Sequence, residues 1–529
     1  MPTQRSEFAV VIIGCGPVGK VLALQLAEAG LRIAVVDKRT DAYPLPRAVT
    51  HDAEIARILQ SISLPPDTIA DVTEPYDGIY RWENAEREVL LEVDWSGVGE
   101  SGWHNTYFFH QPALEERLER RLRALPNVAV LRGWAYAGHT EEADGVSVRL
   151  CHDADGADLE LGAQFLVGAD GAGSAVRAAM GVEWQDNKYF SDWLVVDVLP
   201  GPDAVPMVEA RQRCDPERPH TMVPGGPGRR RWEFMRLPRE RVADIDRADF
   251  AWRLLSEYGV NQQNSVLERH TTYRFQAGWA STWRQGRVFL AGDAAHLMPP
   301  FAGQGMCTGL RDAMNLGWKL RAVLSGAATE ALLDSYAAER IPHTAETVDF
   351  SVRLGKLICV TDRASAGDRD GRMLRARARC ATAERPPRPR LGSGLHHGAH
   401  GGTLSIQAMV GDGRRGPAML DDVLGGAGGL LVRDGRLLGG LGRSELWELA
   451  AIGIRPCILD STGQTPAAQG ALRLVDVDQR YRRWFEELAA DAVLVRPDFY
   501  LYDTARTDAG VRLMVRRFLA EMKGTPVPL

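Results

Sequence analysis

Cysteine is scarce and scattered in this 529-residue chain. The seven, Cys15, Cys151, Cys214, Cys307, Cys359, Cys380 and Cys457, include no CxxC pair and no metal-ligand spacing. That pattern argues against a disulfide scaffold or a zinc motif and suits a reducing, cytoplasmic setting. No apolar run approaches the roughly 20 residues of a membrane-spanning helix, and the N-terminus lacks the basic segment and cleavage site of a signal peptide. A basic excess is missing too: 63 Lys and Arg face 69 Asp and Glu, for a net charge of −6, which speaks against a nucleic-acid partner and for a small molecule. There is no internal repeat, and the length calls for two or three domains.

Against those absences stands a clear alternation. FAVVIIG, CGPVG, KVLALQLAEAG and LRIAVVD read as strand, turn, helix, strand over 8–37. A second α/β stretch begins at Gln111, short alternating strands fill 181–274, and α/β character returns from GRVFLAGDAA to about 385. The Arg/Pro-rich stretch ARARCATAERPPRPRLGSG reads as a solvated linker, with a boundary near 390. Strands then alternate with helices again to the end. The expected architecture is an α/β Rossmann-like domain from 1–75, 105–180 and 275–385, an inserted antiparallel sheet from 76–104 and 181–274, and a small α/β domain over 398–529.

Gly14, Gly16 and Gly19 form GxGxxG between a strand and a helix, and Asp37 closes the next strand. Such a turn places a helix N-terminus before a pyrophosphate and an acid near a ribose, for a nicotinamide or a flavin nucleotide alike. Two further stretches narrow the choice. GxGxxG together with LVGADGAGSAVR at 166–177 and LAGDAAHLMPPFAGQG at 290–305 resembles the three fingerprints of the single-component FAD-dependent aromatic hydroxylases, typified by para-hydroxybenzoate hydroxylase. CDPERPH at 214–220, RRWEFM at 230–235, GQGMCTGLRDAMNLGWKL and VRPDFY at 495–500 are similar to the branch containing 3-(3-hydroxyphenyl)propionate hydroxylase, whose last domain is thioredoxin-like without redox cysteines.

The resemblance implies FAD as bound cofactor, with Gly14, Gly16 and Gly19 at its diphosphate and Asp37 and Lys38 at the adenosine ribose. Arg47, Gln111 and Asp170 follow as further contacts, Gly292 and Asp293 at the ribityl chain, and Pro299, Pro300, Gly303, Gly305, Met306 and Cys307 around the isoalloxazine. Family members more often carry Glu at the ribose position held here by Asp37. A helix opening at Gly305 offers backbone N–H donors to the negative charge of reduced flavin. No second nucleotide motif is present, so NADH (or NADPH) acts as a transient co-substrate.

The implied reaction is hydroxylation of a phenolic ring through a C4a-hydroperoxyflavin, with a 3-hydroxyphenyl-alkanoate as the specific expectation and a polycyclic phenol as the alternative. His51, Trp103, His220, Met222, Trp232, Phe234 and Pro300 are the expected substrate contacts, with His51 as the base for the phenolic proton and Pro299 and Pro300 stiffening the reactive wall. The partners are thus an aromatic substrate and O2, in a chain compatible with a homodimer. The W-x-W-x-I-P signature of flavin halogenases is absent. A non-catalytic flavin-binding redox sensor is the remaining rival.

Overall fold

The computed structural model describes residues 7–204, 209–379, 390–411, 416–460 and 470–526. Cys380 and most of the Arg/Pro-rich linker lie outside these residues. The run FAVVII is wholly buried, because its strand, Phe8–Ile13, is central: it pairs in parallel with Ile33–Asp37 on one side and Asp158–Gly168 on the other. Val128–Arg132 and Val288–Leu290 extend this sheet at its two flanks. The helices Pro17–Glu28 and Gly305–Leu324 pack against each other over it.

A second sheet is built on two long antiparallel strands, Trp184–Pro200 and Ser265–Ala280. It continues through Arg230–Met235, His220–Pro224 and Arg211–Arg213 to Ile79–Glu83 and Val89–Asp94. Leu194, Val196, Val198, Met222, Trp232 and Phe234 point to one face, where the amphipathic helix Ala248–Ser256 covers them. The intervening residues face the first sheet. A small three-stranded sheet, Thr50–Asp52, Thr106–Phe109 and Thr73–Pro75, bridges the two.

The C-terminal part forms a seven-stranded sheet with Gly428–Val432, Ile454–Asp460 and Leu472–Asp476 parallel at its centre and Ala492–Val495 and Leu501–Ala505 antiparallel at one side. Its VRPDFY segment is inserted into the first domain. Arg496 is completely buried between Glu339 (2.7 Å) and Asp498, and Arg57 reaches Asp421 (2.5 Å) and the Ser405 carbonyl (2.8 Å) across the junction. Breaking one such buried pair leaves a charge without compensation, at a cost of about 3–5 kcal/mol.

Candidate active site

Between the first sheet and the inward face of the second runs a continuous cavity of about 820 Å³. At one end lies the glycine turn. Gly14 sits at φ +110°, where a Cβ would fall 2.1 Å from the Ala169 carbonyl oxygen, and a Cβ on Gly19 would fall 2.0 Å from that of Gly14. A Cβ on Gly16 would meet nothing within 4 Å: its backbone faces the open cavity. The helix behind it starts at Pro17 with no side-chain cap, so the cradle matches an anionic diphosphate.

Asp37 shapes this turn from behind, accepting hydrogen bonds from the Cys15 N–H and the Arg39 N–H, both 2.9 Å. The Cys15 thiol is buried and pushed up to about 11, a filler rather than a nucleophile. Lys38 is exposed beside it. Arg47 and Asp293 line the cavity, 3.9 Å apart and half exposed. Gln111 also borders the cavity, and its Oε1 accepts from the N–H groups of Arg47 (2.9 Å) and Ala48 (2.7 Å), so it arranges the arginine loop. Asp170 is occupied with Ser174 Oγ (2.5 Å) and the Ala175 N–H (2.7 Å) at the start of a helix, while Arg177 ties its loop to the Ala294 carbonyl (2.7 Å).

Gly292 donates its N–H to Asp312 (3.0 Å), a fully buried carboxylate that also holds His296 (2.7 Å) and Arg340 (2.8 Å). This network fixes the turn presenting Asp293. Further on, Pro300, Gly303, Gly305 and Met306 line the cavity, whereas Pro299 is buried behind it as the residue preceding a short 3₁₀ turn. Helix Gly305–Leu324 has no side-chain cap, because the amide of its N-cap residue, Gln304, is engaged with Asp52 (3.2 Å) and Arg311 (2.9 Å). Its first-turn N–H groups are left for a ligand. The Cys307 thiol is buried against the Gly303 carbonyl, and burial raises its pKa.

The other end of the cavity is aromatic and apolar: Tyr80, Trp82, Trp95, Phe108, Phe275 and Phe301, with Leu91 and Val223. Thr221, Arg231, Glu233, Arg269 and Tyr273 form its polar floor.

Several expected contacts lie elsewhere. His220, Met222, Trp232 and Phe234 point to the opposite face of the sheet, and His220 is bonded there to the Arg218 carbonyl (2.7 Å) and to Tyr258. One residue along a strand reverses the face, so their neighbours Thr221, Val223, Arg231 and Glu233 are the ones inside. The signal was present: ADFAWRLLS, just downstream, is an amphipathic helix needing an apolar partner, and Trp232 and Phe234 supply it. Trp103 faces the C-terminal domain's junction, donating from Nε1 to Gln60 (2.8 Å), which Gln407 also reaches.

His51 borders the cavity with Thr50 and Asp52, but it is only 2% exposed. Its ring stacks on Tyr107 at 4.9 Å and lies near Phe109. Nδ1 donates to the Asp52 carbonyl (3.1 Å) and Nε2 faces the Thr73 hydroxyl (3.2 Å). Burial drives its pKa down to about 4, so the ring is neutral and hydrogen-bonded at both nitrogens.

A glycine cradle, an uncapped helix and a ring-sized aromatic chamber in one cavity define a flavin-binding oxidoreductase that handles an aromatic compound. Comparison with known proteins gives the family. The FAD binding domain family matches residues 7–351 and the HcaD C-terminal domain matches 402–520. The chain belongs to the FAD-dependent aromatic hydroxylases. It is 33% identical over 529 residues to a probable NADH-specific resorcinol 4-hydroxylase of Rhodococcus jostii (strain RHA1), covering 99% of this chain and 96% of that one. It is 34% identical over 518 residues to a 3-(3-hydroxy-phenyl)propionate/3-hydroxycinnamic acid hydroxylase of Mycolicibacterium gilvum (strain PYR-GCK), covering 94% and 89%. Aklavinone-11 hydroxylase, solved with FAD and aklavinone, shares the fold at TM-score 0.79 and 22% identity over 98% of this chain and 100% of that one.

Proposed function

We propose that this enzyme hydroxylates a 3-substituted phenol, with NADH as electron donor and O2 as oxidant, adding one ring hydroxyl and releasing NAD⁺ and water. The observation that carries it is the continuity of one cavity from the Gly16 cradle, past the Gly305 helix, into the aromatic chamber. Gly14, Gly16 and Gly19 hold the FAD diphosphate with Arg47; Asp37 and Lys38 serve the adenosine ribose, Asp293 the ribityl chain, and Pro300 to Met306 the ring system. Bound FAD supplies the redox chemistry, taking a hydride from NADH and activating O2.

The chain's own residues do the rest. Aromatic walls orient the substrate ring and exclude water. Glu233, on the floor, accepts the phenolic proton: burial raises its carboxyl pKa, despite Arg231 at 3.6 Å, which makes it a stronger base than a solvated carboxylate.

The relatives' names share a 3-hydroxyphenyl pattern, which resorcinol and 3-(3-hydroxyphenyl)propionate both carry. The cavity carries charged groups on the substrate side. Its arginines are each ion-paired: Arg231 and Arg269 to Asp197 (2.7 and 2.6 Å), Arg274 to Asp192 (2.8 Å), and Arg47 near Asp293 (3.9 Å). Arg269 keeps Nε and Nη2 without a hydrogen-bond acceptor, Nη2 meeting Asp197 as an ion pair only, donors that a polar substituent of the substrate can meet.

The six described cysteines are free thiols, in keeping with a cytoplasmic setting, and no described helix is long and apolar enough to cross a membrane. The test is NADH oxidation by the purified protein against resorcinol, 3-(3-hydroxyphenyl)propionate and polycyclic phenols, with product mass measured. A product 16 mass units heavier than a 3-substituted phenol supports the proposal. Binding of FAD with no hydroxylated product from any phenol would favour a redox sensor instead.

A further inference from the structure

We propose that Tyr500, on the C-terminal domain, is a positioning residue for the flavin: through Glu54 and Arg311 it holds the Gln304 side chain clear of its own helix N-terminus. The inference rests on the FAD reading above.

The chain of contacts is continuous and buried. Tyr500 donates its hydroxyl to Glu54 Oε1 (2.9 Å), across 446 residues of sequence. The other oxygen of Glu54 accepts from Arg311 Nε (2.6 Å). Arg311 uses its remaining donors on Asp52 Oδ2 (2.6 Å) and Gln304 Oε1 (2.9 Å), and Gln304 returns its Nε2 to Asp52 (3.2 Å). Tyr500, Glu54 and Arg311 are each at most 5% exposed. The same domain also grips the body of this helix, since Asn315 meets Asp498 (2.9 Å) and Lys319 meets Glu339 (2.7 Å), the partner of Arg496.

Gln304 precedes the first turn of helix Gly305–Leu324, and its amide would otherwise compete for the N–H groups of that turn or fill the space before them. Arg311 prevents this only while its donors are shared out as they are. Without the Tyr500 hydroxyl, one oxygen of a buried carboxylate loses its partner and turns toward Arg311, drawing it from Gln304. The C-terminal domain thus sets the donor field at the flavin without touching it.

The experiment compares Tyr500→Phe with Tyr502→Phe. Tyr502 lies two residues away on the same domain, and its hydroxyl pairs only within that domain, with Glu521 (2.9 Å) and Arg517 (3.2 Å). Apoprotein is titrated with FAD by fluorescence, and the flavin midpoint potential is measured without substrate. Loss of one charged hydrogen bond should weaken FAD roughly fivefold to tenfold. If that loss falls on the reduced form, the potential drops by about 20–30 mV, at about 30 mV per tenfold for a two-electron couple. Tyr502→Phe should change neither.

Unchanged values in Tyr500→Phe, or equal changes in both variants, overturn the proposal. In a Gln304→Ala background the Tyr500→Phe shift should largely vanish; an undiminished shift overturns the route through Gln304. If Tyr500→Phe does not fold, Glu54→Gln is read against the same criteria. A wild-type protein with no affinity for FAD would instead overturn the underlying flavin reading, a result distinct from an unshifted variant.

Discussion

Arg231 on the second sheet and Asp197 on the neighbouring strand form a doubly bonded pair, Nε to Oδ1 at 2.7 Å and Nη2 to Oδ2 at 3.0 Å, both side chains buried. The same guanidinium donates to the carbonyls of Pro46 (2.8 Å) and Arg47 (2.7 Å). One side chain therefore locks the floor of the substrate chamber to the loop that carries Arg47.

Arg231→Met should destabilise the protein by about 3 kcal/mol, because Asp197 stays buried with Arg269 alone, and it should weaken FAD retention by freeing the arginine loop. Denaturant midpoints and flavin absorbance after gel filtration measure both. A loss below about 1 kcal/mol with full flavin content would show that the pair does not support the loop.

Gly16 and Gly19 separate binding from folding. Gly16→Ala adds a methyl that meets no protein atom within 4 Å but enters the cradle, so the apoprotein should melt like wild type and lose affinity for FAD at least tenfold. Gly19→Ala places its Cβ 2.0 Å from a backbone oxygen and should destabilise the apoprotein itself. Equal melting losses in the two apoproteins would contradict this division.

Glu233→Gln keeps the size of the side chain and removes its basicity. Hydroxylation should fall roughly 10²-fold while NADH is still consumed and peroxide accumulates. His51→Gln, by contrast, should leave coupling near the wild-type level, since both ring nitrogens are already engaged, with the Asp52 carbonyl and the Thr73 hydroxyl. If the two results were exchanged, the base would be His51 after all.

Both His51 and His220 are lowered by burial from about 6.5 to about 4. In that window the unfolded chain binds more protons than the folded one. Stability should therefore be full above pH 6.5 and decline as pH falls toward 4. Denaturant titrations at pH 7 and pH 5 should show this slope, and His51→Gln should make it shallower. A variant with the wild-type slope would mean that the His51 ring titrates normally in the folded protein.

Much of the nucleotide end is legible in the chain, because its determinants are local. A buried Val/Ile strand, a turn that only glycine can make at Gly14, and a helix packed close at Gly19 are written within a dozen residues. The reactive turn from Gly292 to Met306 is equally compact, and its proline and glycine positions mark where a helix must begin. The sheet's existence follows likewise from the alternation in 181–274.

Which side of that sheet faces the substrate is not local. Trp232 and Arg231 are adjacent, and the choice between them depends on where helix Ala248–Ser256 packs, since apolar side chains go to the face that the helix covers and the charged Arg231 and Glu233 remain for the cavity. His51 was decided in the same way, by the pairing of Thr50–Asp52 with Thr106–Phe109, which sends its ring toward Tyr107. The sequence by itself determined the elements and the nucleotide cradle, whose geometry comes from backbone conformation over a few residues. Tertiary structure alone decided the substrate face and the joining of Tyr500 to Glu54 and Arg311, because strand parity and long-range burial are settled only when distant segments meet.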